Sequence, residues 1–264
     1  MNIDNYKKLK LGLSNLKRDE ERNIGNSLYN NYNIHDLTFY NPTFAFINNN
    51  IQEGQIFNNK FKLFKLLKRI DRCSINGYEY YGIIRKNGKF IKKKIFIKET
   101  PMIPMEKFFD HSKMFKDNNL LLPNFHFNQF NNYINNYKNS AHIDVFVTYL
   151  TSKLVENGIS PHFPLYYGSF SAIMEKFTIE LSEKDDFENE VKNDIIKVFN
   201  KGDKYYGEVN NFPCQFLASE NLDGDLYNLR FRNEKSNQDE WLAYMFQITA
   251  ALTVCQKYFG LCNN

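Results

Sequence analysis

The sequence predicts an α+β fold. Two runs rich in aromatic and β-branched residues, Tyr78 to Arg85 and Phe90 to Lys98, flank Lys86-Asn87-Gly88-Lys89. Asn-Gly between such runs specifies a tight hairpin, because both turn residues tolerate positive φ. Ile143, Phe146, Val147, Leu150 and Leu154 recur at helical spacing between Ile143 and Val155. Trp241, Met245, Ile248, Leu252, Cys255 and Phe259 step by four and three along a second helix from about 239 to 259.

The other elements follow in chain order. Residues 1–55 are polar, Asn-rich and weakly periodic, an extension with one helix near 5–20 and not a second domain. From Phe61 to Ile70 apolar residues interleave with Lys and Arg, a pattern that fits strand or helix. After the hairpin, residues 100–140 contain Pro101, Pro104, Pro123 and an Asn-rich stretch, and are expected to form a long connection. Val145, Tyr149 and Val155 widen the stripe of the Ile143–Val155 helix, so it should be buried on most sides. A strand pair is expected at Leu165 to Met174 and Phe177 to Leu181, then a solvated helical insertion at Ser182 to Lys201. Phe212 to Ala218 is a further apolar strand, followed by the turn-like Asp223-Gly224-Asp225. The last helix has almost no polar face, so much of it should lack cover.

Composition narrows the classes. With 264 residues and 42% hydrophobic content, the chain can build one large domain or two small ones. A charged fraction of 24% excludes wholesale disorder. A net charge of +4 spread over this length argues only weakly for a nucleic-acid partner. No run approaches the ~18 apolar residues of a membrane-spanning helix, and Met1 to Lys8 has no apolar h-region, so neither a membrane partner nor a secretory signal is expected. Cys73, Cys214, Cys255 and Cys262 are scattered without a CxxC pair, which points to a reducing cytoplasm and away from zinc or disulfides. His35, His111, His126, His142 and His162 show no i,i+4 pairing, so no metal site is expected. Asn, Lys and Ile are over-used together, as AT-rich coding would produce, and single asparagines receive little functional weight.

Five segments then carry a resemblance through their order and spacing. They are Ile95-Phe96-Ile97-Lys98-Glu99, Ser160 to Gly168 (SPHFPLYYG), Ser219 to Leu226 (SENLDGDL), Gln247 to Leu252 (QITAAL), and Tyr258-Phe259-Gly260-Leu261. Together, over about residues 60–264, they resemble the protein kinase family, particularly the divergent kinase-like proteins of large DNA viruses. The resemblance implies a kinase-like small lobe, a twisted antiparallel sheet with one buried helix, plus the first helices of the large lobe. On it, residues 1–55 are the extension, 56–220 the small lobe with insertions at 100–140 and 182–205, and 221–264 the hinge exit and start of the large lobe. In the family a lysine ending the third strand holds the α/β-phosphates of ATP and pairs with a helix glutamate. Lys98 matches that lysine. Its acidic partner is Asp144, near the start of the buried helix, or Glu156 at its end; Asp144 better matches the viral relatives. Glu220 to Leu222 would form the hinge facing adenine, with Ser219 at the gatekeeper position. Asp225 would face the ribose side or cap the next helix.

The resemblance implies ATP with Mg as cofactor and phosphoryl transfer to protein Ser/Thr hydroxyls, in the host cytoplasm if the chain is viral. The departures qualify that activity. Only Gly77 and Gly82 stand where a GxGxxG phosphate loop would lie. Phe96 shares a strand face with Lys98, where the family has a small residue above adenine, and is expected to crowd the nucleotide. Gly260-Leu261-Cys262-Asn263-Asn264 reaches the residue just before the expected catalytic aspartate. No catalytic residue and no Mg²⁺ ligand is therefore expected within this chain. Alone it should be inactive, acting as a pseudokinase or as a split-kinase half, a protein-interaction module completed by a separate C-terminal half. The rival from another class is nucleic-acid binding through Lys86, Lys89, Lys92, Lys93 and Lys94 with Tyr78, Tyr80, Tyr81 and Phe90. A solvated hairpin with a half-buried aromatic face is the commoner outcome of that pattern.

Overall fold

The computed structural model describes residues 18–47, 60–74, 77–104, 107–108, 129–181, 195–201, 204–222 and 238–260. In chain order its elements are α1 (Arg18–Asn31), β1 (Ile34–Thr38), α2 (Pro42–Ile47), β2 (Phe61–Ser74), β3 (Gly77–Lys86) and β4 (Lys89–Pro101). They continue as α3 (Gln129–Ile134), α4 (Ser140–Glu156), β5 (Tyr166–Leu181), β6 (Ile195–Lys201), β7 (Lys204–Glu220) and α5 (Gln238–Phe259). The fold is α+β. All strands pair antiparallel in one sheet of order β1-β5-β7-β4-β3-β2, with β6 also on β7.

The hairpin between β3 and β4 closes as its turn residues require, with Asn87 at φ 49° and Gly88 at φ 81°. Phe61 to Ile70 resolves as strand, because β3 offers it a full ladder from Phe61↔Lys86 to Ser74↔Gly77. β7 is the spine. One edge pairs with β5 along nearly its whole length, from Tyr166↔Ser219 to Leu181↔Tyr205. The other edge is divided: Lys204 to Val209 pair with β6, and Cys214 to Glu220 pair with β4. Where β4 ends, the Met102 N–H donates to the Pro213 carbonyl at 3.1 Å.

One face of the sheet is the core. Leu63 and Leu66 of β2, Tyr80 and Ile84 of β3, Ile95 and Ile97 of β4, and Phe216 of β7 are buried there under Leu28 and Tyr32. Phe170 stacks on Phe216 at 4.8 Å, and Tyr32 meets Phe216 edge-on at 5.1 Å. The Ser27 hydroxyl accepts the Leu66 N–H at 3.1 Å, which fixes α1 on β2. The opposite face is covered over β5 and β7, where Val145 of α4 and Phe44 of α2 pack on Tyr166 and Leu217.

Several expectations change. The two strands expected between Leu165 and Leu181 are one, since β7 is long enough to pair them without a break. Residues 195–201, expected within a helical insertion, are strand β6: Ile195, Ile196, Val198 and Phe199 are β-branched or aromatic and favour strand, and the edge of β7 supplies their backbone partners. The rest of that insertion, 182–194, lies outside the described residues, as do 5–17 and the turn 223–225. The Asn-rich N-terminal stretch contributes α1, later than the helix expected near 5–20, then an edge strand on β5 and a helix on α4. The 100–140 connection carries α3.

No helix of the described residues is long and apolar enough to cross a membrane. α5 nevertheless exposes a broad apolar surface: Leu242 is 61% and Phe246 73% exposed, with Met245, Leu252 and Tyr258 also open to solvent. Among the described side chains of the helix only Ala251 and Cys255 are buried. Contiguous apolar surface of this kind favours association. The chain should therefore self-associate at tens of µM in light scattering, and Leu242→Glu with Phe246→Glu should return it to monomer. A dispersed wild-type monomer under those conditions would contradict this.

Candidate functional site

Along β4 the side chains alternate, so Ile95, Ile97 and Glu99 are buried in the core while Phe96, Lys98 and Thr100 project to the other face. On that face α4 ends its cover, and at the seam the Lys98 Nζ donates to the Asp144 Oδ2 at 2.8 Å. Asp144 reaches the lysine despite being one methylene shorter than a glutamate. Glu156 does not compete, because its Oε2 takes the Lys153 ammonium at 2.6 Å one turn away. Lys98 and Asp144 remain 39% and 34% exposed. An ion pair so open to water stabilises a fold by no more than about 1 kcal/mol. Both charges thus stay available to an incoming group.

Asp144 is held in place by the residues just before it. Asn139 caps α4: its Oδ1 accepts the Ala141 N–H at 3.0 Å, and its Nδ2 donates to the carbonyls of Met102 (2.8 Å) and Tyr133 (3.2 Å). Met102 directly follows β4, so one side chain ties the helix start to the strand that carries Lys98. His142, 1% exposed, adds a 2.8 Å bond from Nε2 to the Ile134 carbonyl of α3. Burial lowers its pKa to about 4 and keeps the imidazole neutral. Neither residue was singled out from sequence. The only local signal for Asn139 is an asparagine four residues ahead of the Ile143 stripe, an N-cap type of residue in a chain where asparagine is abundant.

Phe96 occupies the same face as Lys98, and its ring leans along the sheet over Gly77. A Cβ at Gly77 would fall 2.4 Å from the Phe96 Cζ and 2.7 Å from the Ile97 carbonyl. Gly77 is thus required by close packing against the Phe96 ring. Ser219 is buried and stands opposite Phe96 in register, so the gatekeeper candidate belongs to this corner. Glu220 does not. It lies opposite Ile95 on the other side, its N–H bonds the Leu165 carbonyl at 2.8 Å, and its Oε1 sits 3.6 Å from Lys93. Leu222 is exposed just past the strand end. Asn221 donates to Glu79 at 3.2 Å and holds that exit against β3. Asp225 lies outside the described residues.

The structure therefore brings together Lys98, Asp144, Ser219 and Phe96 and leaves Glu220 aside. The corner offers an oriented ammonium next to a half-buried apolar ring. An ammonium so exposed can engage an anionic group. Among the described residues no group of three or more His, Cys, Asp or Glu could hold a metal ion. Comparison of the chain with protein-family models, curated proteins and solved structures finds no match.

Two predictions follow from this geometry. Above pH 6.5 His142 is neutral whether folded or unfolded; as pH falls, the unfolded chain takes up the proton first, so folded stability drops until pH reaches about 4. The loss should amount to about 3 kcal/mol, read by urea denaturation at pH 7 and pH 4, and His142→Gln should flatten it. A variant as pH-sensitive as wild type would remove His142 as the cause. Gly77→Ala should destabilise by about 1–3 kcal/mol through overpacking. A double-mutant cycle with Phe96→Ala should return a coupling of at least ~0.5 kcal/mol, and additivity would mean the two do not touch in solution.

Proposed function

We propose that the chain is a kinase-like nucleotide-binding lobe that does not transfer phosphate by itself, acting as a pseudokinase or as one half of a split kinase. The Lys98–Asp144 contact carries this reading: a lysine on the third strand of a meander, β2-β3-β4, meets an acid on the buried helix at 2.8 Å. That is the pairing the resemblance implies, and the exposure of both groups gives it no large structural purpose. Lys98 would hold the α/β-phosphates of ATP, with Asp144 fixing the direction of the ammonium. Beside Ser219, the backbone of Asn221 and Leu222 just past β7 would face adenine, and the Phe96 ring would crowd the base position. Mg²⁺ would travel with the phosphates, where it neutralises charge; no step here depends on it. The protein partner would be the half that supplies the catalytic base, since Asp144, the carboxylate at this corner, already holds the Lys98 ammonium.

The test is nucleotide-dependent thermal stabilisation. At ATP about tenfold above its Kd, binding adds about 1.4 kcal/mol, a Tm rise of roughly 2–4 °C for a domain of this size. Lys98→Met should abolish the rise without lowering the ligand-free Tm by more than a degree or two. Phe96→Ala should enlarge it by clearing the base position. A rise of equal size in the Lys98→Met variant would overturn the assignment.

A further inference from the structure

Opposed residues of an antiparallel ladder project to the same side of the sheet, so the register sorts the lysines of this region by face. On the face away from the core, β2 contributes Lys62, Lys65 and Lys68. Opposite them stand Arg85, Ile83 and Tyr81 of β3, and opposite those stand Phe90, Lys92 and Lys94 of β4. Of these nine positions six are cationic and none is acidic. In a chain whose formal net charge is only +4, this concentrates charge in one place. Bulges beside Leu63 and Leu66 make the pattern possible, because each adds a residue to β2 and keeps its lysines turned to this side.

The aromatic groups lie in the same field. Phe90 is 58% and Tyr81 39% exposed, and the Phe64 ring supports Phe90 at 4.6 Å. Lys92 Nζ stands 5.3 Å from the Tyr81 ring centre. Lys65, Lys68, Lys92 and Lys94 are all exposed. Two lysines of the hairpin turn elsewhere: Lys86 covers Phe61, and Lys93 approaches Glu220. The next row of the register, Asp71–Glu79–Phe96, begins with acids and divides this field from Lys98. Three strands about 4.8 Å apart and residues about 3.3 Å apart make a field of roughly 10 by 13 Å, room for a few nucleotides. Rings lying on a flat face can be reached only by bases freed from a duplex.

We infer that the outer face of β2, β3 and β4 binds single-stranded nucleic acid, with phosphates on the lysine rows and bases stacked on Tyr81 and Phe90. It is a site separate from the nucleotide corner and does not rest on that reading. The probe is a fluorescein-labelled 20-nucleotide oligo-dT, followed by anisotropy from 50 to 200 mM salt. Four engaged phosphates give an expected log–log salt slope of about −3. Lys65→Gln, Lys92→Gln and Lys94→Gln combined should weaken binding at least tenfold and flatten that slope by about two. Tyr81→Ala with Phe90→Ala should cost about tenfold toward the oligonucleotide and leave heparin binding unchanged. Lys98→Met should change neither, which keeps failure here distinct from failure of the nucleotide site. If the triple variant melts early, Lys65→Gln with Lys92→Gln replaces it, with a threefold or greater loss expected. No binding at 50 mM salt would overturn the proposal. So would heparin or anionic vesicles bound as tightly as the oligonucleotide with no penalty from removing the rings, since the face would then attract polyanions alone.

Discussion

Cys214 to Ser219 form a backbone whose two edges are both occupied and whose two faces are both covered, and that constraint decides where everything else can lie. Buried backbone groups must find partners, so β5 and β4 take opposite edges of β7. The core-face side chains of β7 need apolar cover, which Tyr32, just past the end of α1, supplies. The other face receives α4 and α2 through Val145 and Phe44. Because α4 is committed to β5 and β7, it stops at β4, and β2-β3-β4 keep one face open. The Lys98–Asp144 pair sits on that border.

The border holds its position through polar contacts that precede Asp144 in the chain. Asn139 satisfies a helix N–H that has no intrahelical partner and at the same time binds the carbonyl that follows β4. His142 adds a bond to α3 from a buried, uncharged ring. The cost of immobilising Asp144 is thus met by the helix start and not by the ion pair, whose charges are too hydrated to order it.

Local signals in the sequence proved dependable where the physics is local. The Asn87-Gly88 turn and the positions of α4 and α5 depend on neighbours within a few residues, and all three lie where those signals put them. The expected stripes do not: α4 buries Ala141, His142, Val145, Thr151, Ser152 and Leu154 and leaves Ile143 exposed, so it is covered on one side and not on most, and α5 exposes Met245 and Leu252. β1 depends on an edge made by the distant strand β5, so its own residues carry little sign of it. Lys98 and Asp144 were legible only through a family resemblance, because neither composition nor periodicity connects a strand to a helix so far along the chain. Asn139 was hidden by abundance: one asparagine among many looks like compositional drift until its partners are seen. The cationic field was hidden differently, since six charges spread over three strands share a face only once two bulges have set the register.

Pro213 stands in the middle of β7, where an interior strand ordinarily excludes proline. Its carbonyl accepts from Met102, on the edge that β4 and β6 divide, while Ile173 of β5 is its partner across the other edge. In an antiparallel strand the nitrogen and carbonyl of one residue point the same way, so the missing donor belongs to the divided edge and β5 loses nothing. β6 arrives there by a short hairpin and β4 from far away in the chain, and the nearer strand closes its loop at lower entropy. With a hydrogen at position 213, the hairpin could continue past Asn210 and occupy the stretch β4 requires. A single ring thus acts as a boundary post between two claimants to one edge. It favours the distant strand, and with it the lysine that strand carries.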